Sequence, residues 1–323
     1  ATWIAGIQHE KVSPDAVAMR VLPPLLYGKG HPYAIPFTGS GDEAAINGLT
    51  REDLVDFHHD WLRPQNGTLI VVGDTTLAEI VPLLDKQLGD WKAAGDAPQV
   101  KAATDVALPK GPRVFLIDQP GAVQANLFAG QVVAPSRAAS STRFDIANGV
   151  IGGDFTSRLN MNLREDKSWS YGANSMASDT IGQRPWMAMA AVQIDKTAQA
   201  LLEMAKEIAA FADGSKPATA AEVNRIRNTE TLSLPGAYET AAAVASTIGS
   251  IVEFKRPDNY VLRRKAEIEA MTPAQVQQAA TEIKPQALTW VVVGDLKQTE
   301  ATVRALNLGE VTVIDAEGNP VKK

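Results

Sequence analysis

The chain has 323 residues, enough for about two domains. Its 45% apolar and 21% charged composition is that of a globular protein and excludes disorder, collagen and coiled coil as descriptions of the whole. The net charge of -6, from 31 basic and 37 acidic residues, lacks the basic excess of a nucleic-acid binder, and the absence of cysteine excludes disulfide frameworks, cysteine-based zinc fingers, iron–sulfur clusters and thiol catalysis.

In chain order, apolar periodicity predicts helices over Pro14–Tyr27, Thr50–Trp61 and Thr75–Leu88, with a strand at Thr68–Val72. The stretch Gly95–Pro112, which holds Pro98, Pro109 and Pro112, reads as a linker. Strands are expected at Arg113–Ile117 and Val123–Val133. A helix over Arg143–Arg164, interrupted at Gly152-Gly153, leads to strands at Ser170–Ser178 and Pro185–Ile194. Helices follow at Thr197–Ala212, Thr219–Leu232, Ala237–Glu253, Pro257–Ala270 and Thr272–Ile283, and a strand at Leu288–Val293. Paired strands and runs of helices predict α+β architecture with a largely antiparallel sheet. The longest charge-free stretch, Gln119 to Ser136, is too polar for a membrane span.

An internal repeat underlies this layout. Leu49-Thr50, Pro64-Gln65-Asn66 and Val72-Gly73-Asp74 return as Met271-Thr272, Pro285-Gln286-Ala287 and Val293-Gly294-Asp295. Each copy reads as an N-cap threonine, a short amphipathic helix, a proline stop, a β-branched strand and a Gly-Asp turn. Pro14 and Pro235 stand at the same offset, each ahead of an alanine-containing apolar stretch. Two full units of this period would need about 440 residues. The expectation is therefore a truncated first domain at 1–95, a linker at 96–112 and a complete second domain at 113–323. The start at Ala1-Thr2-Trp3, without an initiator methionine, fits a chain whose first domain has lost its N-terminal half.

Little catalytic chemistry is legible. The histidines, His9, His31, His58 and His59, form no metal-binding pair, and adjacent His58 and His59 point about 100° apart on a helix. No G-x-S-x-G or G-x-x-x-x-G-K is present. One stretch stands apart, Gly152-Gly153-Asp154-Phe155-Thr156-Ser157-Arg158-Leu159, continuing through Leu163-Arg164-Glu165 to Trp169-Ser170-Tyr171. Arg164 ends a helix and Tyr171 begins a strand, so a guanidinium and a phenol can serve one carbonyl oxygen. The alternative is structural: arginine offsets the helix dipole and tyrosine packs at the sheet edge.

The pattern Gly-Gly-x-x-x-Ser-Arg-Leu, Leu-Arg-Glu and Tyr resembles the second half of the pitrilysin/insulinase-type metallopeptidases, the inverzincins, which include the mitochondrial processing peptidases. His31-Pro32-Tyr33, Gly39, Gly41, Leu49-Thr50 and the first Gly-Asp unit are similar to the later part of that family's first half. Trp169 stands where the family more often has leucine. The resemblance implies duplicated two-layer α/β domains of the processing-peptidase/LuxS-like metallohydrolase fold. It implies a zinc held by H-x-x-E-H and a later glutamate in one half, and substrate-gripping Arg and Tyr in the other. Carried over, Arg164 and Tyr171 become substrate-binding residues.

H-x-x-E-H is absent from the sequence. The third-ligand glutamate aligns with Ile7, whose side chain cannot ligate zinc. Glu10, three residues away, is a metal candidate only if that alignment slips. The resulting expectation is an insulinase-family chain, inactive alone and without a cofactor of its own. A zinc-bearing homologous subunit would complete a heterodimer, peptide would be the substrate, and strand addition plus electrostatics would hold it. Nucleic acid and membrane spans are not expected. The rival readings are a fragment of a complete, active zinc metalloendopeptidase and a non-catalytic structural or binding module. The lack of cysteine and family habit favour a bacterial periplasmic or other extracytoplasmic site.

Overall fold

The computed structural model describes residues 2–93 and 95–321. They form two compact units that divide the chain differently from the sequence boundaries. The first comprises 1–41, 103–231 and 261–323, and the second 42–102 and 232–260.

The first unit opens with helices α1 (Thr2–Val12) and α2 (Pro14–Tyr27). The second unit holds α3 (Glu43–Gly48), α4 (Arg51–Trp61) and α5 (Leu77–Leu88). Returning to the first unit, strands β1 (Arg113–Asp118) and β2 (Gln124–Val133) precede α6 (Ser141–Asn148) and the short α7 (Arg158–Asn160). After β3 (Ser170–Ala177) and β4 (Arg184–Gln193) come α8 (Thr197–Ala212) and α9 (Ala220–Leu232). Helix α10 (Ala241–Glu253) belongs to the second unit. The chain ends with α11 (Tyr260–Glu269), α12 (Pro273–Ala280), β5 (Thr289–Gly294), α13 (Leu296–Ala305) and β6 (Glu310–Val313).

The six strands make one sheet ordered β3-β4-β2-β5-β1-β6. The β3/β4, β4/β2 and β2/β5 pairs are antiparallel, whereas β5/β1 and β1/β6 are parallel. The sheet is buried on both faces, so its central strands read as continuous apolar runs rather than as alternation. One face carries Leu127, Ala129, Trp186 and Trp290, packed against α6, α8, α9 and α12. The opposite face carries Phe128, Met187, Val291 and Val293 beneath Val17, Ala18, Val21 and Leu22 of α2. Helix α2 thus adds a third layer, and this apolar face is why residues 14–27 associate with the sheet rather than with 42–102.

The repeat is visible in the caps. Thr50 with Asp53 and Thr272 with Gln275 each form a reciprocal capping box. The helix that follows Pro14 lies in the first unit, and the one that follows Pro235 lies in the second.

One repeat element differs from expectation. Residues 68–72 form no strand and have no ladder partner among the described residues, and Leu69 and Val71 are 59% and 46% exposed. A β-branched run makes a strand only where a neighbour supplies ladder bonds and a half-buried surface. No apolar side chain described in the second unit is fully buried, and Leu54, Phe57, Leu77 and Leu83 are exposed. No described helix is long and apolar enough to cross a membrane.

The expected helix over Arg143–Arg164 is also divided. Wide turns at Gly149–Gly153 and Met161–Asp166 flank a break at 154–157, where Asp154 accepts hydrogen bonds from the Thr156 amide and hydroxyl. Gly152 passes so close to β3 that a Cβ there would lie 2.4 Å from Ser175 Oγ and 2.6 Å from its backbone nitrogen. The glycine pair therefore brings this segment onto the sheet edge. Arg158 locks the break from the other side. Its Nε and Nη2 donate to Glu222 at 2.7 and 2.8 Å, and its other bonds go to the carbonyls of Lys216 and Pro217.

Burial raises the Glu222 pKa, but the bonds from Arg158 and Thr219 outweigh it and bring the value down to about 2. A carboxylate depressed below its unfolded value stabilises the fold fully above the unfolded pKa, and that stabilisation disappears as pH falls toward the folded value. Glu222→Gln should therefore cost about 1–2 kcal/mol at pH 7, after allowance for solvent screening. Urea denaturation of both proteins from pH 7 down to pH 2 should show the difference narrowing below about pH 4.5. A gap independent of pH would refute the assignment.

Candidate functional site

Arg164 and Tyr171 flank one corner between the wide turn Met161–Asp166 and β3. The turn is anchored by fully buried Leu163. Three backbone bonds wind it down: Lys167 N–H to Asn162 C=O at 3.0 Å, Ser168 N–H to Arg164 C=O at 3.1 Å, and Trp169 N–H to Leu163 C=O at 2.9 Å. Ser168 adopts the left-handed region, with φ 55°, which reverses the chain into the strand.

The strand then bulges. Ser170 pairs with Val192 and Ala173 with Ala190, so Tyr171 and Gly172 together oppose Ala191. Ser170 Oγ fixes the bulge by donating to the Ala191 carbonyl at 2.6 Å and accepting from the Gly172 amide at 3.1 Å. Bulges of this kind re-aim a side chain. Tyr171 is 90% exposed, and its hydroxyl has no hydrogen-bond partner among the described residues. The edge-packing alternative for this tyrosine therefore does not hold.

Arg164 is half-exposed. Its guanidinium lies 4.6 Å from the centroid of the exposed Phe155 ring, and Nε is 3.3 Å from Glu165 Oε1. Phe155 was not legible as a partner of Arg164, because the expected interruption at Gly152-Gly153 did not extend over the break at 154–157 that presents it.

Strand β3 is an edge strand, yet it is plugged. The Ala173 N–H donates to Asn160 Oδ1 at 3.1 Å, and Asn148 Nδ2 donates to the Ser175 carbonyl at 3.1 Å. Asn148 Oδ1 also accepts from Ser175 Oγ and Trp186 Nε1. Side-chain amides thus occupy the backbone groups that an added strand would need between residues 173 and 175. A peptide strand added along β3 would therefore find those groups already bonded.

On the α2 face, beside the bulge, lies a hollow of about 370 Å³. Its floor is two rows of the sheet, Gly172, Ala191 and Asn126 in one and Asn174, Met189 and Phe128 in the other. Asp15 and Met19 of α2 complete it. The asparagines were missed in sequence, although asparagine is depleted in strands and two of them within predicted strands were a usable signal.

The residues near the N-terminus do not fit a zinc site. Ile7 is fully buried and its side chain has no atom that can ligate a metal. Glu10 Oε2 accepts from Arg20 Nη1 at 2.6 Å, Ser40 Oγ at 2.7 Å and Thr38 Oγ1 at 3.1 Å. Burial opposes its ionisation, but those bonds prevail and hold the carboxyl below its ordinary value. Among the described residues, no three His, Cys, Asp or Glu side chains group in a way that could hold a metal ion. Of the histidines, His31 stacks on Tyr27 at 4.9 Å and bonds the Thr104 carbonyl, while His58 and His59 are exposed.

Residues 48–230 match the family described as "Peptidase M16 inactive domain". The chain belongs to that family. It is similar in structure to a peptidase M16 inactive domain from Pseudomonas fluorescens, with a TM-score of 0.80 and 21% identity over 91% of this chain and 68% of that one. A protease from Helicobacter pylori gives 0.73 and 17%, covering 90% and 71%. A chain of complex III2 from Candida albicans gives 0.65 and 15%, covering 93% and 74%. No curated protein sequence matches. The chain is thus a module of the M16 inactive-domain type, and the structural likenesses carry the fold.

Proposed function

We propose that this chain is the substrate-holding partner in a two-chain peptidase. A homologous subunit would supply the zinc centre, and Arg164 and Tyr171 would hydrogen-bond carbonyls of an extended peptide. The observation that carries the reading is Tyr171, a large aromatic left 90% exposed on a bulged strand with its hydroxyl free of described partners.

Arg164 is available to join it. Its contacts with exposed Phe155 and Glu165 are each worth about 0–1 kcal/mol at the surface, less than a charge-assisted bond to a carbonyl in a closed site. The guanidinium and the phenol would donate to the oxygen on which negative charge develops during hydrolysis, and fixed donors stabilise such charge more than they stabilise the ground state. The zinc-bound water is the chemistry the partner would contribute.

The number of large apolar side chains left exposed in the second unit, Leu54, Phe57, Leu77 and Leu83 among them, supports a protein partner that would cover them. An extracytoplasmic location agrees with the absence of cysteine. Titration of the isolated chain with an unstructured peptide should give binding without cleavage, whether or not zinc is added. Chelator-sensitive cleavage by the isolated chain would favour a self-sufficient zinc peptidase instead. Neither binding nor any effect on a zinc-bearing homologue would favour a purely structural module.

A further inference from the structure

The corner that carries Arg164 and Tyr171 draws on two separate segments. Arg164 meets Phe155 of the break at 154–157, and Tyr171 stands on the bulged start of β3. One side chain bonds both segments. Asn160, at the end of α7, is 4% exposed, and the two ends of its carboxamide serve different partners. Nδ2 donates to the Phe155 carbonyl at 2.6 Å, and Oδ1 accepts from the Ala173 amide at 3.1 Å. A carboxamide has one donor end and one acceptor end, so these partners fix which way it points. Oδ1 also lies close to the bulge itself, since a Cβ on Gly172, next to Tyr171, would be 3.8 Å from it. The turn that bears Asn160 is itself anchored, because Arg158 is locked to Glu222.

From this geometry we infer that Asn160 is a positioning residue for the corner, acting through Phe155 on Arg164. The inference rests on the substrate-holding role proposed for Arg164 and Tyr171. Phe155 is 62% exposed, so burial does not hold its ring. Its backbone places it, and the bond from Asn160 fixes that backbone. The Arg164 guanidinium lies over the ring, and an aromatic face attracts a cation without using its N–H groups. Nη1 and Nη2 of Arg164 accordingly make no hydrogen bond to any described residue and are left for a ligand. A guanidinium held in this way has fewer orientations to lose when it takes up a carbonyl oxygen, and donors fixed beforehand are the effective ones. The bond to Ala173 ties β3 to the same carboxamide, so one side chain relates the guanidinium to the strand that carries the phenol.

NMR of the isolated full chain, with isotope-labelled arginine, tests the geometry. The Arg164 Nε–H signal, assigned by its absence from Arg164→Ala, should be displaced by the Phe155 ring current from the position of an exposed arginine. Phe155→Leu should abolish that displacement, and Phe155→Tyr should keep it. Asn160→Asp retains an acceptor for Ala173 but sets an oxygen against the Phe155 carbonyl, and should abolish the displacement with Phe155 still present. Thermal melting checks the folding of Asn160→Asp, and the variants of exposed Phe155 decide the path through the ring whatever that melt shows. Kinetics of the assembled pair test the consequence. Asn160→Asp and Phe155→Leu should each lower kcat about 10-fold or more with KM little changed, and Phe155→Tyr should recover most of the rate. On the Asn160→Asp background, Arg164→Ala should cost less than about 3-fold further, whereas Tyr171→Phe should keep its full effect.

An Arg164 signal that is unchanged in Asn160→Asp or in Phe155→Leu overturns the positioning role. So does a full loss from Arg164→Ala on the Asn160→Asp background, or an equal weakening of the Arg164 and Tyr171 effects there, which is the mark of a merely structural residue. If Arg164→Ala and Tyr171→Phe leave hydrolysis unchanged in the otherwise wild-type chain, the substrate-holding reading falls, and the NMR signal alone then decides whether Asn160 places the guanidinium.

Discussion

Replacing Arg164 by alanine or Tyr171 by phenylalanine should lower peptide hydrolysis by the assembled pair about 10²–10³-fold, the usual effect of removing one oxyanion donor. The loss should fall mainly on kcat, because these bonds strengthen as charge develops on the carbonyl oxygen. Neither change should disturb the fold. Tyr171→Phe removes a hydroxyl with no described partner from a side chain that is 90% exposed. Arg164→Ala removes a half-exposed side chain whose contacts are with exposed Phe155 and the adjacent Glu165. Melting temperatures within about 2 °C of wild type, with steady-state kinetics on the assembled pair, would separate loss of chemistry from loss of structure. Unchanged kcat in both variants would remove the corner from the reaction.

The largest stability effect should come from Asp145. Arg184 is fully buried at the start of β4, where Nη1 bonds Asp145 Oδ1 of α6 at 2.7 Å and Nε bonds the Ala134 carbonyl at 3.0 Å. Its third nitrogen, Nη2, has no partner among the described residues. The pair ties the helical layer to the sheet where the β2/β4 ladder ends, at Val133 opposite Arg184. Asp145→Ala would leave the buried guanidinium facing Asp179 at 4.0 Å as its nearest other carboxylate. Breaking a buried pair from one side typically costs 3–5 kcal/mol, and Asp179 moderates that to about 3 kcal/mol here. Calorimetry should register a fall in Tm of about 6–12 °C. Adding Arg184→Met to Asp145→Leu should recover most of the loss, because an apolar pair of similar volume avoids the stranded charge. A double variant as unstable as the single one would show that the loss does not arise from the unpaired arginine.

Much of this fold is legible from periodicity and caps. The spans Pro14–Tyr27 and Thr197–Ala212 match the observed helices, and Arg113–Ile117 and Leu288–Val293 fall within a residue of β1 and β5. What could not be read depends on distant neighbours. Residues 68–72 carry the pattern of a strand, but pairing is a property of the adjacent chain and not of the segment. Helix α13 was expected only as the helix that the Gly-Asp turn leads into, without bounds, and strand β6 was not anticipated, since so short a segment takes its form from the sheet it joins. The compact units do not follow a boundary at residue 95, since residues 14–27 lay their apolar face on the sheet, and nothing local in α2 says which surface that face covers.

At the site, Arg164 and Tyr171 were marked by spacing and by resemblance, not by any property of either residue alone. The bulge that exposes Tyr171 depends on a hydroxyl from Ser170 reaching across to β4. The plugs on β3 come from Asn148 and Asn160, remote in sequence, so the closed edge was not foreseeable.

The central claim is that this chain holds peptide and a homologous partner cuts it. The direct test is to combine the purified full chain with a zinc-bearing, H-x-x-E-H homologue and follow cleavage of a fluorogenic peptide by each protein alone and by the mixture. The expected result is little or no cleavage by either protein alone, robust cleavage by the mixture, and loss of that cleavage when the chain carries Arg164→Ala with Tyr171→Phe. A homologue that is equally active with and without this chain would contradict the account.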